Sequence, residues 1–277
     1  CSEQVGVVEL TWNRLFDVRA CSDGAPRPAA ERGHAGGRRG VPARRRKVTD
    51  ETPAEPEVAE AVVARVYRRL RWVDSVFSTY RQDSTVSALR RGEVEVDEVV
   101  GAVGYIVDVC AEASRVTGGC FSADLPDADG VRRFDPSGVV KGWAIGEAAK
   151  LLGELPGHSY CINAGGDIAT GYGPDCPREV RDQAWRVGLQ SPHRADAIAR
   201  TVELHTGGLA TSGLYARGNH IYDPRTGTYP TTTGSVTVSG PDVMWADIWA
   251  TALFVGGKES EELLHQWDPR YSVIRLT

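Results

Sequence analysis

A mixed fold of helices and short strands, built as one large domain or two closely packed lobes, is what this sequence predicts. Apolar residues recur at helical spacing in four places: 59–73, 99–116, 143–152 and 243–255. Between them lie short apolar or alternating runs bounded by glycine and proline, the pattern of strands. At 277 residues the chain can bury a sizeable core, and no apolar run approaches the roughly 18 residues of a membrane helix.

In chain order, residues 1–20 have room for one strand, around 5–18. Residues 21–50 are rich in Arg, Gly, Pro and Ala, with almost nothing to bury, and read as a disordered basic low-complexity segment. Such a segment is open to three readings: an arm for anionic surfaces, a solvated insertion, or a misread coding frame. A helix begins soon after Pro53, with Ala59, Val62, Val63, Val66, Tyr67, Leu70 and Val73 on one face. It runs into Val76-Phe77-Ser78-Thr79-Tyr80. Asp83-Ser84 then caps a short turn at 85–89. The helix over 99–116 stops at Gly118-Gly119, and 120–123 is a short extended piece. Further strands fall at 159–163, 184–189, 201–204, 208–211 and 235–239.

The formal charge is −5. Residues 26–47 carry eight Arg/Lys against one Glu, so the remainder is close to −12. An acidic body argues against nucleic acid as the main partner. The six cysteines, Cys1, Cys21, Cys110, Cys120, Cys161 and Cys176, include no CxxC pair and no metal-finger spacing, so they read as scattered thiols. Cys110 and Cys161 lie in apolar runs and read as small buried residues. A cysteine at position 1 suits a lipid-anchored lipoprotein or a trimmed start. Association with a membrane is expected only if Cys1 carries lipid. A cytoplasmic location is the reading of the sequence, with an anchored extracytoplasmic one as the alternative.

Residues 134–152 are the most informative stretch. Asp135-Pro-Ser-Gly is a turn cluster, and from Trp143 a helical pattern begins. Lys141 then stands near a helix mouth, where backbone N–H groups and an ammonium suit a phosphate, though an ordinary loop-to-helix junction explains it as well. Asn163-Ala-Gly-Gly-Asp167 pairs glycines where a backbone comes close to a ligand or another strand. Asp247 and Thr251 are four apart on an apolar helix, so their oxygens share one face. Such a pair fits either a hard-cation site or a core carboxylate with an ordinary partner.

Taken together, the segments resemble the FAD:protein FMN transferases, the ApbE-like family. The resemblance is carried by Phe77-Ser-Thr-Tyr80 with Ser84, Asp135-Pro-Ser-Gly-Val-Val-Lys141-Gly142, Ile162-Asn-Ala-Gly-Gly-Asp167, Thr211-Ser212-Gly213, His220-Ile-Tyr-Asp-Pro-Arg-Thr-Gly227, Ser235-Val-Thr-Val, and Ala246-Asp247 through Thr251-Ala252. It implies an α+β two-lobed fold over 51–277, with mixed or antiparallel sheets, packed helices and a ligand between the lobes. It implies a transferase moving FMN from FAD, its substrate, to a Ser/Thr hydroxyl of a target protein with Mg²⁺, releasing AMP. The alternatives are a Mg²⁺-dependent FAD pyrophosphatase yielding FMN and AMP, or a non-catalytic flavin-binding protein.

Carried over by position, the metal ligands are the Gly138 carbonyl, Asp247 and Thr251. The cofactor contacts are Tyr80, Asp135, Lys141, Asn163, Gly165, Gly166, Asp167 and Ile221. His220 corresponds to the histidine that takes the proton of the target hydroxyl. Two departures stand out. The family's first strand carries a Met-Gly-Thr run where this chain has Leu10-Thr11-Trp12-Asn13. Its Asp-Xaa-Thr after Cys120-Phe121 is replaced by Ser122-Ala123-Asp124.

Overall fold

The computed structural model describes residues 7–13, 15–21, 56–99, 101–127, 129–194, 196–214, 221–231 and 233–277. The expectations for the basic segment, Cys21 excepted, and for His220 lie outside the described residues. The strands are β1 (Val7–Asn13), β2 (Leu15–Cys21), β3 (Asp124–Pro126), β4 (Arg132–Phe134), β5 (Ser159–Ala164), β6 (Asp167–Tyr172), β7 (Trp185–Gln190), β8 (Ile198–Leu204), β9 (Gly207–Gly213), β10 (Ser235–Gly240) and β11 (Ser272–Leu276). The helices are α1 (Pro56–Phe77), α2 (Thr85–Arg90), α3 (Ala102–Val116), α4 (Ser137–Leu152), the single turn α5 (Arg178–Arg181) and α6 (Val243–Trp267).

One seven-stranded sheet, in the order β11-β10-β9-β6-β5-β1-β2, organises the chain. Only the β1–β5 pair is parallel; the other neighbours run antiparallel. Alternation along the strands divides the core. Ile162, Ala169, Ala210, Val236 and Val238 face the helices, with Val66, Leu70, Ala148 and Trp249 among their cluster. Cys161, Ile168 and Leu209, their sequence neighbours, face the other way. There the β7–β8 ribbon covers them with Trp185, Val187, Leu189 and Leu204. This is the mixed α+β architecture of helices packed on a largely antiparallel sheet.

Several expectations meet differences. The single strand at 5–18 is instead a hairpin, with Asn13 opposite Leu15 at its tip. The extended piece expected at 120–123 forms at β3, which pairs with β4. β6, which the sequence did not signal, carries no alternation toward water because it lies inside the sheet and is buried along most of its length. The last helix runs on to Trp267 through a break at Gly257 (φ 63°, ψ −145°). Arg275 of β11 donates to the carbonyls of Leu253 (3.2 Å) and Gly257 (2.9 Å), satisfying helix-end acceptors at that break.

Two close crossings set where the helices lie. A Cβ on Gly142 of α4 would stand 2.6 Å from Met244 Cα, so α4 and α6 touch through backbone. A Cβ on Gly208 of β9 would overlap Val243 Cα, so the start of α6 rests directly on the sheet. Glycine is required at both places by lack of room.

Candidate functional site

The helix α4 starts at Ser137, six residues before the apolar pattern that signalled it. The Asp135-Pro-Ser-Gly cluster is the helix entry itself. Pro136 holds the cap position, and the Asp135 carboxylate accepts the Ser137 amide at 3.0 Å and its hydroxyl as well. Lys141 is therefore one turn inside the helix and beside the Gly142 crossing. Gly138 stands in the first turn of α4, where a Cβ would meet the Phe121 ring at 3.1 Å.

That crossing brings three charges together. Lys141 Nζ is 2.5 Å from Asp167 Oδ2 and 3.2 Å from Asp247 Oδ1. Asp167 opens β6, and its other oxygen accepts from the Thr211 amide at 3.4 Å. Asp247 is only 3 % exposed. The two carboxylates and the ammonium share a setting with little water, so each depends on its charged neighbour to offset desolvation. One helical turn along α6, Thr251 Oγ1 sits 3.1 Å from Ser212 Oγ of β9. Among the described residues no cluster of three or more His, Cys, Asp and Glu is gathered as a metal cage. The donors present are oxygens: the Asp247 carboxylate and the Thr251 and Ser212 hydroxyls. Oxygen donors of this kind fit a hard cation that keeps part of its water shell, such as Mg²⁺.

Each of the other expected contacts has its own surroundings. Tyr80, in the loop after α1, is 94 % exposed and presents its ring to solvent. Asn163 ends β5 by accepting the Gly166 amide at 3.1 Å, which closes the β5–β6 turn. Gly165 and Gly166 both take positive φ there (65° and 103°), a conformation that the turn demands of glycine. Asp167 reaches the site through Lys141. Ile221 is buried in the helix-side core. Asp223, two residues further on, pairs with Arg225. Burial pushes the Asp223 carboxyl up, but the hydrogen bonds from Arg225 outweigh it and hold the group below the usual range.

Two neighbours had no role from sequence. Ser212 was legible only as part of a Thr-Ser-Gly run, and its meeting with Thr251 needs the β9–α6 packing. Arg90 of α2 donates to the Phe134 carbonyl (3.0 Å) and Asp127 (2.6 Å), with Asp135 3.9 Å away. A lone arginine after a short helix carries no signal of that kind. Cys110 and Cys161 are buried, as read from sequence, and burial pushes both thiols up to about 12.

Fold and site define a class: a layered α+β protein whose buried lysine–carboxylate cluster forms where two helices cross over a sheet. Known proteins share the fold. The sequence profile of the ApbE family matches residues 123–274. The chain is 30 % identical over 154 residues to the FAD:protein FMN transferase of Salmonella typhimurium, covering 52 % of this chain and 41 % of that protein. It is 32 % identical over 148 residues to the Escherichia coli K12 protein of the same name, covering 49 % and 39 %. The match thus spans about two fifths of the curated relatives' length. The crystal structure of the ApbE protein from Thermotoga maritima superposes with a TM-score of 0.64 at 21 % identity, covering 82 % of this chain and 88 % of that one. The flavin transferase ApbE from Vibrio cholerae gives 0.58 at 21 % identity, with 82 % and 87 % covered. The chain belongs to the ApbE family.

Proposed function

We infer that this protein is an FAD:protein FMN transferase, moving FMN from FAD to a Ser or Thr hydroxyl of an acceptor protein and releasing AMP. The observation that carries the reading is the buried Lys141–Asp167–Asp247 cluster, with the Thr251 hydroxyl one turn beyond Asp247. The relatives' names and the family's Asp-Pro-Ser-Gly…Lys and Asp…Thr pattern support it. Asp247, Thr251 and the Gly138 carbonyl are the residues that would hold Mg²⁺, which when bound would neutralise charge on the FAD diphosphate.

The chain's own groups account for the rest. Asp167 holds the Lys141 ammonium in place, so that it meets a diphosphate without first being ordered. Asp135 anchors the entry of α4, where N–H groups and the helix dipole favour an anion. Tyr80 offers a free aromatic face at the rim for a flavin ring. His220 takes the proton as the acceptor oxygen bonds to the FMN phosphorus and the phosphorus–oxygen bond to AMP breaks, a step contributing roughly 10²–10⁴-fold. The acceptor hydroxyl arrives on another chain, so water is its natural competitor.

The test is in-gel flavin fluorescence of an acceptor protein co-expressed with this chain. Asp247→Ala and His220→Ala should each abolish labelling. Full labelling by Asp247→Ala would remove the metal assignment. FMN and AMP accumulating equally fast without acceptor would make the protein a pyrophosphatase.

A further inference from the structure

The packing of α6 on β9 has matched pitch. Val243 lies against Gly208, and Thr251 meets Ser212. Eight helical residues rise about 12 Å and four strand residues about 13 Å, so helix and strand stay in step between the two contacts. Ser212, Ala210 and Gly208 share one face of β9 by the alternation of strand side chains. The small size of Ala210 and the absence of a side chain at Gly208 let the helix approach closely enough for two hydroxyls to bond.

We propose that Ser212 is a positioning residue for the cation site: its hydroxyl accepts the Thr251 proton and so turns the Thr251 lone pairs toward the ion that Asp247 binds. This rests on the metal-dependent reading given above. Either hydroxyl can donate across the 3.1 Å contact while the site is without a cation. Once Thr251 Oγ1 offers a lone pair to a cation, its proton must point elsewhere. A helical threonine otherwise donates to the carbonyl four residues earlier, here that of Asp247, and that rotamer re-aims the oxygen. Ser212 supplies the competing acceptor. Ser212 is itself buried to all but 7 %, so water does not replace it readily.

The experiment uses the full chain with Mn²⁺ as the probe, free Mn²⁺ being counted by its electron paramagnetic resonance signal. Wild type, Ser212→Ala, Thr251→Val, the double variant and Asp247→Ala are titrated, and a thermal melt on each establishes folding. Ser212→Ala should weaken Mn²⁺ binding about 10-fold, in the range seen when an outer-shell partner of a ligand is removed. In the Thr251→Val background the same change should have no further effect, because the serine acts only through the threonine. Equal losses in both backgrounds would mean a general packing role and overturn the proposal. Wild-type affinity in Ser212→Ala, with Asp247→Ala still weakened, would overturn the proposal and leave the metal site standing. Wild-type affinity in Asp247→Ala would overturn both.

Discussion

Replacing Gly142 by alanine tests whether the site is built by backbone contact between α4 and α6. The added Cβ would lie 2.6 Å from Met244 Cα and 3.2 Å from its amide nitrogen and the Val243 carbonyl. All three are backbone atoms and cannot turn aside. Ordinary contact needs a further separation of about 1 Å, so the helices must part by roughly that much. Overpacking of this kind costs about 1–3 kcal/mol. Alanine returns about 0.5–1 kcal/mol through its better helix propensity. The expected net loss is about 0–2.5 kcal/mol, or a Tm lower by up to about 10 °C. The Lys141–Asp247 pair, now at 3.2 Å, would stretch by a similar amount. Gly146 is the control, one turn along α4, where a Cβ would find only a Val243 methyl at 4.0 Å. Gly146→Ala should gain the propensity term, about 0.5–1 kcal/mol. Thermal and urea denaturation of both variants decide the matter. If Gly142→Ala is as stable as Gly146→Ala, the crossing is not the constraint described.

Lys141→Met should cost about 3–5 kcal/mol at neutral pH, since it strips the ammonium from the buried Asp167 and Asp247 carboxylates. Urea denaturation measures it; a loss below about 1 kcal/mol would mean that water already solvates the cluster. Asp223→Asn removes a carboxylate held below its ordinary 3.8 by Arg225. A lowered folded value stabilises above the unfolded one, so the wild type's advantage of about 1–2 kcal/mol should be full above pH ~5. It should fade as pH falls through and below 3.8, read from chemical denaturation at pH 7 and pH 3; an advantage unchanged at pH 3 would refute the ion-pair origin.

Local elements could be read from the chain alone, because each is written in residues close together. The face Val62, Val66, Leu70 and Val73 makes α1 legible without any partner. Ser84 caps α2 by accepting the Ser87 amide, an interaction three residues long. The order of short family-like runs also revealed Lys141, Asp247 and Thr251 as a set. Their spacing along the chain could not say how they meet. The start of α4 was misplaced because a Pro-Ser-Gly turn cluster and a capped helix entry look alike until the Ser137 amide finds the Asp135 carboxylate. Asp167 was read as a cofactor contact, yet its partner, Lys141, comes from a different element. Ser212 gained a role only when β9 and α6 were found in step. These meetings came from packing, because a charge cluster or a hydroxyl pair between distant elements depends on how closely backbones approach, and that distance is set by glycines at two crossings.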